Sequence, residues 1–132
     1  MTDYREYFNE VTQTLVDIEQ WFSGSADKGL LTQLLARFSP QFSMIVPGGN
    51  VLDYPGLSEL FDKLGGARPG LKISLSEWSG IDQHAGGATV SYREVQSDAS
   101  GVLNDRRATA VIEKLPSGAL LWRHLHETYC QG

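Results

Sequence analysis

LKISLSEW, residues 71–78, is where the period of this chain changes. Leu71, Ile73 and Leu75 alternate with Lys72, Ser74 and Ser76, the two-residue period of a strand with one buried face. Three more stretches of the same kind follow, at 88–96 (ATVSYREVQ), 106–115 (RRATAVIEKL) and 119–130 (ALLWRHLHETYC). The turns between them are HAGG, SDASG and PSG, rich in the residues that tolerate tight reversals. This half of the chain reads as a four-stranded antiparallel meander.

Before residue 71 the period is helical. Tyr4, Phe8, Val11, Leu15, Ile18 and Phe22 lie three and four apart, one face of a helix about five turns long that Asp3 is placed to cap and Gly24 to end. A second helical pattern follows Asp27, runs through Leu30, Leu31, Leu34, Leu35 and Phe38, and stops before Pro40. FSMIV (42–46) is a short strand closed by the turn residues PGGN. Pro55 opens a third helix carrying Leu57, Leu60, Phe61 and Leu64, ended by Gly65-Gly66. Helices first and strands after, with no βαβ rhythm, predicts one α+β domain over 1–132, its helices covering one face of a curved antiparallel sheet.

Composition narrows the function classes. With 41% apolar and 20% charged residues in 132, the chain can bury a core without staples. No apolar run approaches the roughly 20 residues needed to cross a bilayer, and MTDYREYFNE is no secretory leader, so a cytoplasmic location is expected and a membrane partner is not. The single cysteine, Cys130, gives no internal disulfide and no thiolate metal cluster. A net charge of −5 without a basic stripe argues against nucleic acid.

This element order resembles that of the nuclear-transport-factor-2-like superfamily, and the resemblance spans nearly the whole chain. FSPQFSMIVPGGNVLDYPGLSELF (38–61) is similar to the superfamily's segment between its second and third helices. WRHLHET (122–128) is similar to the last strand of its small bacterial branch of unknown function, which resembles the association domain of calmodulin-dependent kinases. The resemblance implies a cone with the sheet wrapped around the long helix, a pocket at the open end, and a convex face used for dimerisation. That scaffold hosts ketosteroid isomerase, SnoaL-type cyclases, scytalone dehydratase and limonene epoxide hydrolase as well as association domains, so function has to come from the site.

The terminal strand places His124 and His126 two residues apart with Glu127 beside them. Alternation puts the imidazoles on one face and the carboxylate on the other. A third metal ligand is lacking, since His84 sits in a glycine turn, and no metal or other cofactor is expected. No serine lies in a nucleophile elbow. Read by strict alternation, one face carries Leu121, Arg123, Leu125, Glu127 and Tyr129, suited to a pocket wall. The other carries Trp122, His124, His126 and Thr128, aromatic and uncharged, suited to a seam with a second copy of the chain. The candidate pocket residues are Tyr54, Trp78, Tyr92, Glu94, Arg107, Arg123 and Glu127. The competing reading gives Arg93, Glu94, Arg107 and Arg123 to cross-strand ion pairs on partly exposed sheet. The leading expectation is a homodimeric protein that binds a small, partly apolar molecule. The alternatives are a cofactor-independent isomerase, dehydratase or cyclase working by proton transfer, and an association module without ligand.

Overall fold

Apolar spacing in the first fifth of the chain builds α1, Arg5–Ser23, in a computed structural model that describes residues 2–130. Its buried face is wider than the predicted stripe. Tyr7, Thr14 and Trp21 join Val11, Leu15 and Phe22, because the helix is covered on two flanks. Gly24 ends it at φ 83°, the left-handed conformation that glycine adopts without penalty. Asp3 does not cap it: Tyr4 is the N-cap residue, and Asp3 accepts from the Arg5 backbone N–H (2.9 Å) and guanidinium (2.7 Å).

Asp27 caps α2, Lys28–Leu35, by accepting from the Gly29 N–H. This helix is shorter than its apolar spacing predicts. Phe38 is already in β1, Phe38–Ile45, since the chain ahead of Pro40 turns extended and Phe38 gains a partner opposite Trp122. The PGGN turn returns the chain to β2, Val51–Asp53, and the Asp53 carboxylate accepts from Gly56 N–H to start α3, Tyr54–Leu64, with Pro55 in its first turn.

The meander forms as expected: β3 (Lys72–His84), β4 (Gly87–Asp98), β5 (Gly101–Lys114) and β6 (Leu120–Tyr129) pair antiparallel in sequence order. The full sheet runs β2-β1-β6-β5-β4-β3. It departs from the antiparallel expectation at one place, where β1 lies parallel to β6 after the chain has travelled through the whole meander. Bulges in β3, at Ser76–Ser79 and Gly80–Asp82, let the edge strand bend. At the bend the ring of Tyr4 occupies the space a side chain on Gly80 would need, so the strand closes directly over the start of α1.

The core lies between the helices and the concave face of this sheet. Phe38 stacks edge-on against Phe42 and Phe61, and Phe22 meets Phe61 from α1. Trp122 is 1% exposed among them and donates its indole N–H to Thr14 (3.1 Å), satisfying a polar atom that would otherwise be costly to bury.

Candidate functional site

On β4 every second residue from Val90 to Gln96 is buried, which sends Tyr92, Glu94 and Gln96 to the concave side. The ladder aligns Glu94 with Arg106 and Arg106 with Tyr129; one step along, it aligns Tyr92 with Ala108 and Ala108 with Glu127. The middle strand thus offers alanine between two large side chains, and space remains above it. A cavity of about 280 Å3 opens there. Its aromatic and aliphatic walls include Phe22, Phe42, Leu57, Phe61 and Trp122, and its mouth is marked by the exposed Arg68 and Tyr129.

One end of this apolar cavity is polar. Arg106 donates to Glu127 Oε1 (3.0 Å) and, through Nε, to Asn104 Oδ1 (3.0 Å). Asn104 donates to Gln96 Oε1 (3.0 Å), and Gln96 donates to Glu94 Oε2 (2.6 Å). Both carboxyls are nearly sealed from solvent, Glu94 at 3% and Glu127 at 7% exposure. The guanidinium also lies over the Tyr129 ring, 5.5 Å from its centroid. The Tyr92 hydroxyl, on the same cavity wall, is buried without a hydrogen-bond partner among the described residues.

The charges do not balance. Two buried acids face one part-buried base, so ionising the second carboxyl sets like charges together away from water. Burial, with the Glu94 charge adding to it and Arg106 opposing, pushes the Glu127 carboxyl up to about 7. Burial likewise raises Glu94, against the Gln96 hydrogen bond and the Arg106 charge. Desolvation and the two glutamates hold the Tyr92 hydroxyl protonated far above its ordinary range. The site therefore keeps a proton between its acids near neutral pH. It has a carboxyl that can exchange that proton and a phenol that can only donate or accept a hydrogen bond.

Of the residues singled out from sequence, Tyr92, Glu94 and Glu127 come together here. Tyr54 does not join them: its hydroxyl donates to the Leu35 carbonyl and ties α3 to α2. Trp78 stands behind the site, against Tyr92 (5.5 Å) and Phe8 (5.0 Å), lining a separate groove between α1 and β3. Arg107 points to the convex side and pairs with Glu77 (2.8 Å), which also holds Arg93. Arg123 is the extra residue of a β6 bulge, donating to the Gln41 carbonyl and lying 3.6 Å from Glu113. The ion-pair reading therefore holds for Arg93, Arg107 and Arg123, and fails for the buried Glu94.

The same bulge corrects the faces of the last strand. Ile112 is opposite Trp122 and Val111 opposite His124, so parity shifts at Arg123 and Trp122 falls on the concave side with Leu125 and Glu127. Trp122 is a core and cavity residue and not part of an outer seam. His124 and His126 do share the outer face: His124 Nδ1 bonds the Ser43 hydroxyl (2.9 Å), and His126 is exposed. His84 is exposed at the end of β3 and accepts from the Gly86 N–H. Among the described residues no group of three or more histidine, cysteine or acidic side chains is placed to hold a metal ion.

Sequence reading missed Arg106 and Gln96. The signal for both was parity. Arg106 shares it with Ala108, Ala110 and Ile112, and Gln96 with Tyr92 and Glu94.

No family model and no curated protein matches the chain. Among solved structures, an NTF2-like protein of unknown function from Pseudomonas aeruginosa is 43% identical over 95% of this chain and 98% of its own, with a TM-score of 0.91. The CaMKII hub homology domain of Chlamydomonas reinhardtii (15% identity, 99% and 100% covered, TM-score 0.76) and Aln2 from a Streptomyces species (18%, 98% and 94%, 0.72) share the fold. An identity of 43% along nearly the full length of both chains, on the same helix-filled bent sheet, means that the chain belongs to the NTF2-like family.

Proposed function

We propose that this protein binds a small, partly apolar molecule in the cavity on the concave side of its sheet, and that two copies pair through the convex side. One observation carries the ligand reading: the Glu94–Arg106–Glu127 cluster lies buried at one end of an apolar cavity. Holding desolvated acids costs stability that apolar side chains of similar size would not, so a module that only associates has no use for them. Polar groups converging in an otherwise apolar pocket are the usual pattern of a ligand site. Native mass spectrometry of gently purified protein tests this reading. An adduct of small-molecule mass is expected, and a clean apo spectrum overturns a tightly held ligand.

Proton-transfer chemistry without a cofactor is the second reading, favoured by Glu127 titrating near neutrality beside a protonated Tyr92. Recovering the bound compound after incubation in D2O decides it. Deuterium at a carbon position, lost in Glu127→Gln, supports catalysis; an unlabelled compound supports binding alone.

Pairing through the convex face draws on its exposed His126 and Thr128 and on the structural neighbours that are association or hub domains of kinases. Its test is the oligomeric state of variants on that face.

A further inference from the structure

We propose that the molecule held in this cavity is an organic cation, a primary amine on an aromatic or aliphatic body, with its ammonium group seated between Glu94 and the Tyr92 hydroxyl. The assignment rests on the reading of the cavity as a ligand site and names the class of ligand.

The cluster is short of one positive charge. Arg106 is in contact with Glu127, while Glu94 accepts at Oε2 from the neutral amide of Gln96. Glu94 is thus the acid without a cation in contact, and the Gln96–Asn104–Arg106 chain holds its carboxyl in place. Independently, Tyr92 is 1% exposed, and its hydroxyl, on the same wall, has no hydrogen-bond partner among the described residues. An ammonium group brings three N–H donors and one charge. It can donate to the free side of Glu94 and to the Tyr92 oxygen, and its charge replaces the proton that the empty pair retains. A neutral carbonyl or alcohol would need one donor or acceptor and would leave the second acid unexplained. An anionic ligand would add a third negative charge to the same end. Beyond the polar end, the rings of Phe42, Phe61 and Trp122 offer faces to a cation's methylene or aryl body.

Binding of this kind exchanges one proton for one ammonium, so it depends on pH. The titratable and charged groups facing the site are Tyr92 and Glu94 from β4, Arg106 from β5, Glu127 and Tyr129 from β6, and Arg68 following α3; the α1 residues lining the cavity, Thr14, Leu15, Ile18 and Phe22, carry no charge. Among these, burial raises both glutamates, and Glu127 is the one placed near 7.

Isothermal titration of the wild-type chain with 2-phenylethylamine and with 2-phenylethanol, at pH 5.5, 6.5 and 8, tests the assignment. The amine should bind about tenfold more tightly at pH 6.5 than at 5.5, release a proton on binding in buffers of different ionisation heat, and exceed the alcohol at least tenfold at pH 8. Equal affinity for alcohol and amine, or amine binding independent of pH, overturns the cation assignment and leaves the cavity a site for neutral molecules. Binding of neither probe overturns the assignment as well; a clean native mass spectrum alongside would then remove the ligand reading too, whereas an adduct of neutral or acidic mass would preserve it.

Discussion

Glu94 and Glu127 reach one cavity from strands that are not neighbours, separated by β5, whose Arg106 contacts Glu127 directly and is tied to Glu94 only through Asn104 and Gln96. Each is the concave residue of its strand, so the pairing follows from register, and the electrostatic tension follows from the pairing.

That tension has a pH signature. Glu127 has an ordinary value of 4.5 in the unfolded chain and about 7 in the fold. Between those values the unfolded chain loses the proton and the folded chain keeps it, so this group's contribution to stability falls as pH rises through the window and is level above it. Glutamine cannot ionise. Stability of Glu127→Gln relative to wild type should therefore climb from pH 4.5 to pH 7, by on the order of 2 kcal/mol. Urea unfolding across that range measures it, and parallel profiles reject the buried-acid account.

Arg106→Met removes the cation and leaves both acids without a counter-ion. The expected loss at pH 8, where the carboxyls are driven to ionise, is about 3 to 5 kcal/mol. At pH 5 Glu127, raised to about 7, is protonated, and the loss should be clearly smaller. Equal losses at the two pH values would show that the guanidinium matters for packing and not for charge.

Trp122 fills the core between Phe38 and α1. Trp122→Ala should cost about 3 to 5 kcal/mol. Trp122→Phe keeps most of the packing, loses the hydrogen bond to Thr14, and should cost about 1 kcal/mol. Neither change is expected to alter oligomeric state except through unfolding. A folded Trp122→Phe protein that elutes as a monomer where wild type elutes as a dimer would place this residue at the seam after all.

The convex histidines are the contrary case. A His124→Asp, His126→Asp double variant places two charges on the outer face, with the concave cavity on the other side of the strand. Sizing chromatography with circular dichroism should give a folded monomer. An unchanged dimer would exclude this face as the contact.

Helix and strand identity was legible from local pattern, because a period of three to four or of two depends only on neighbouring residues. So were the two acids and Tyr92, whose parity along β4 and β6 is regular near the site. Arg106 is legible in principle from its parity with the inward Ala108 and Ala110, which Arg107 beside it does not share.

Three features depended on tertiary structure. Phe38 left its helix because Trp122, eighty-four positions later, offers it a strand partner. Trp122 and Arg123 changed faces because a bulge inserts one residue against β5, and a one-residue slip inverts every face beyond it. The meeting of Glu94, Arg106 and Glu127 at one cavity requires three strands in register. Periodicity by itself determined that this chain is helices followed by a meander with acids on its inner face. Which side chains meet in the cavity was decided by strand register and bulges, which are set by contacts between residues far apart in the chain.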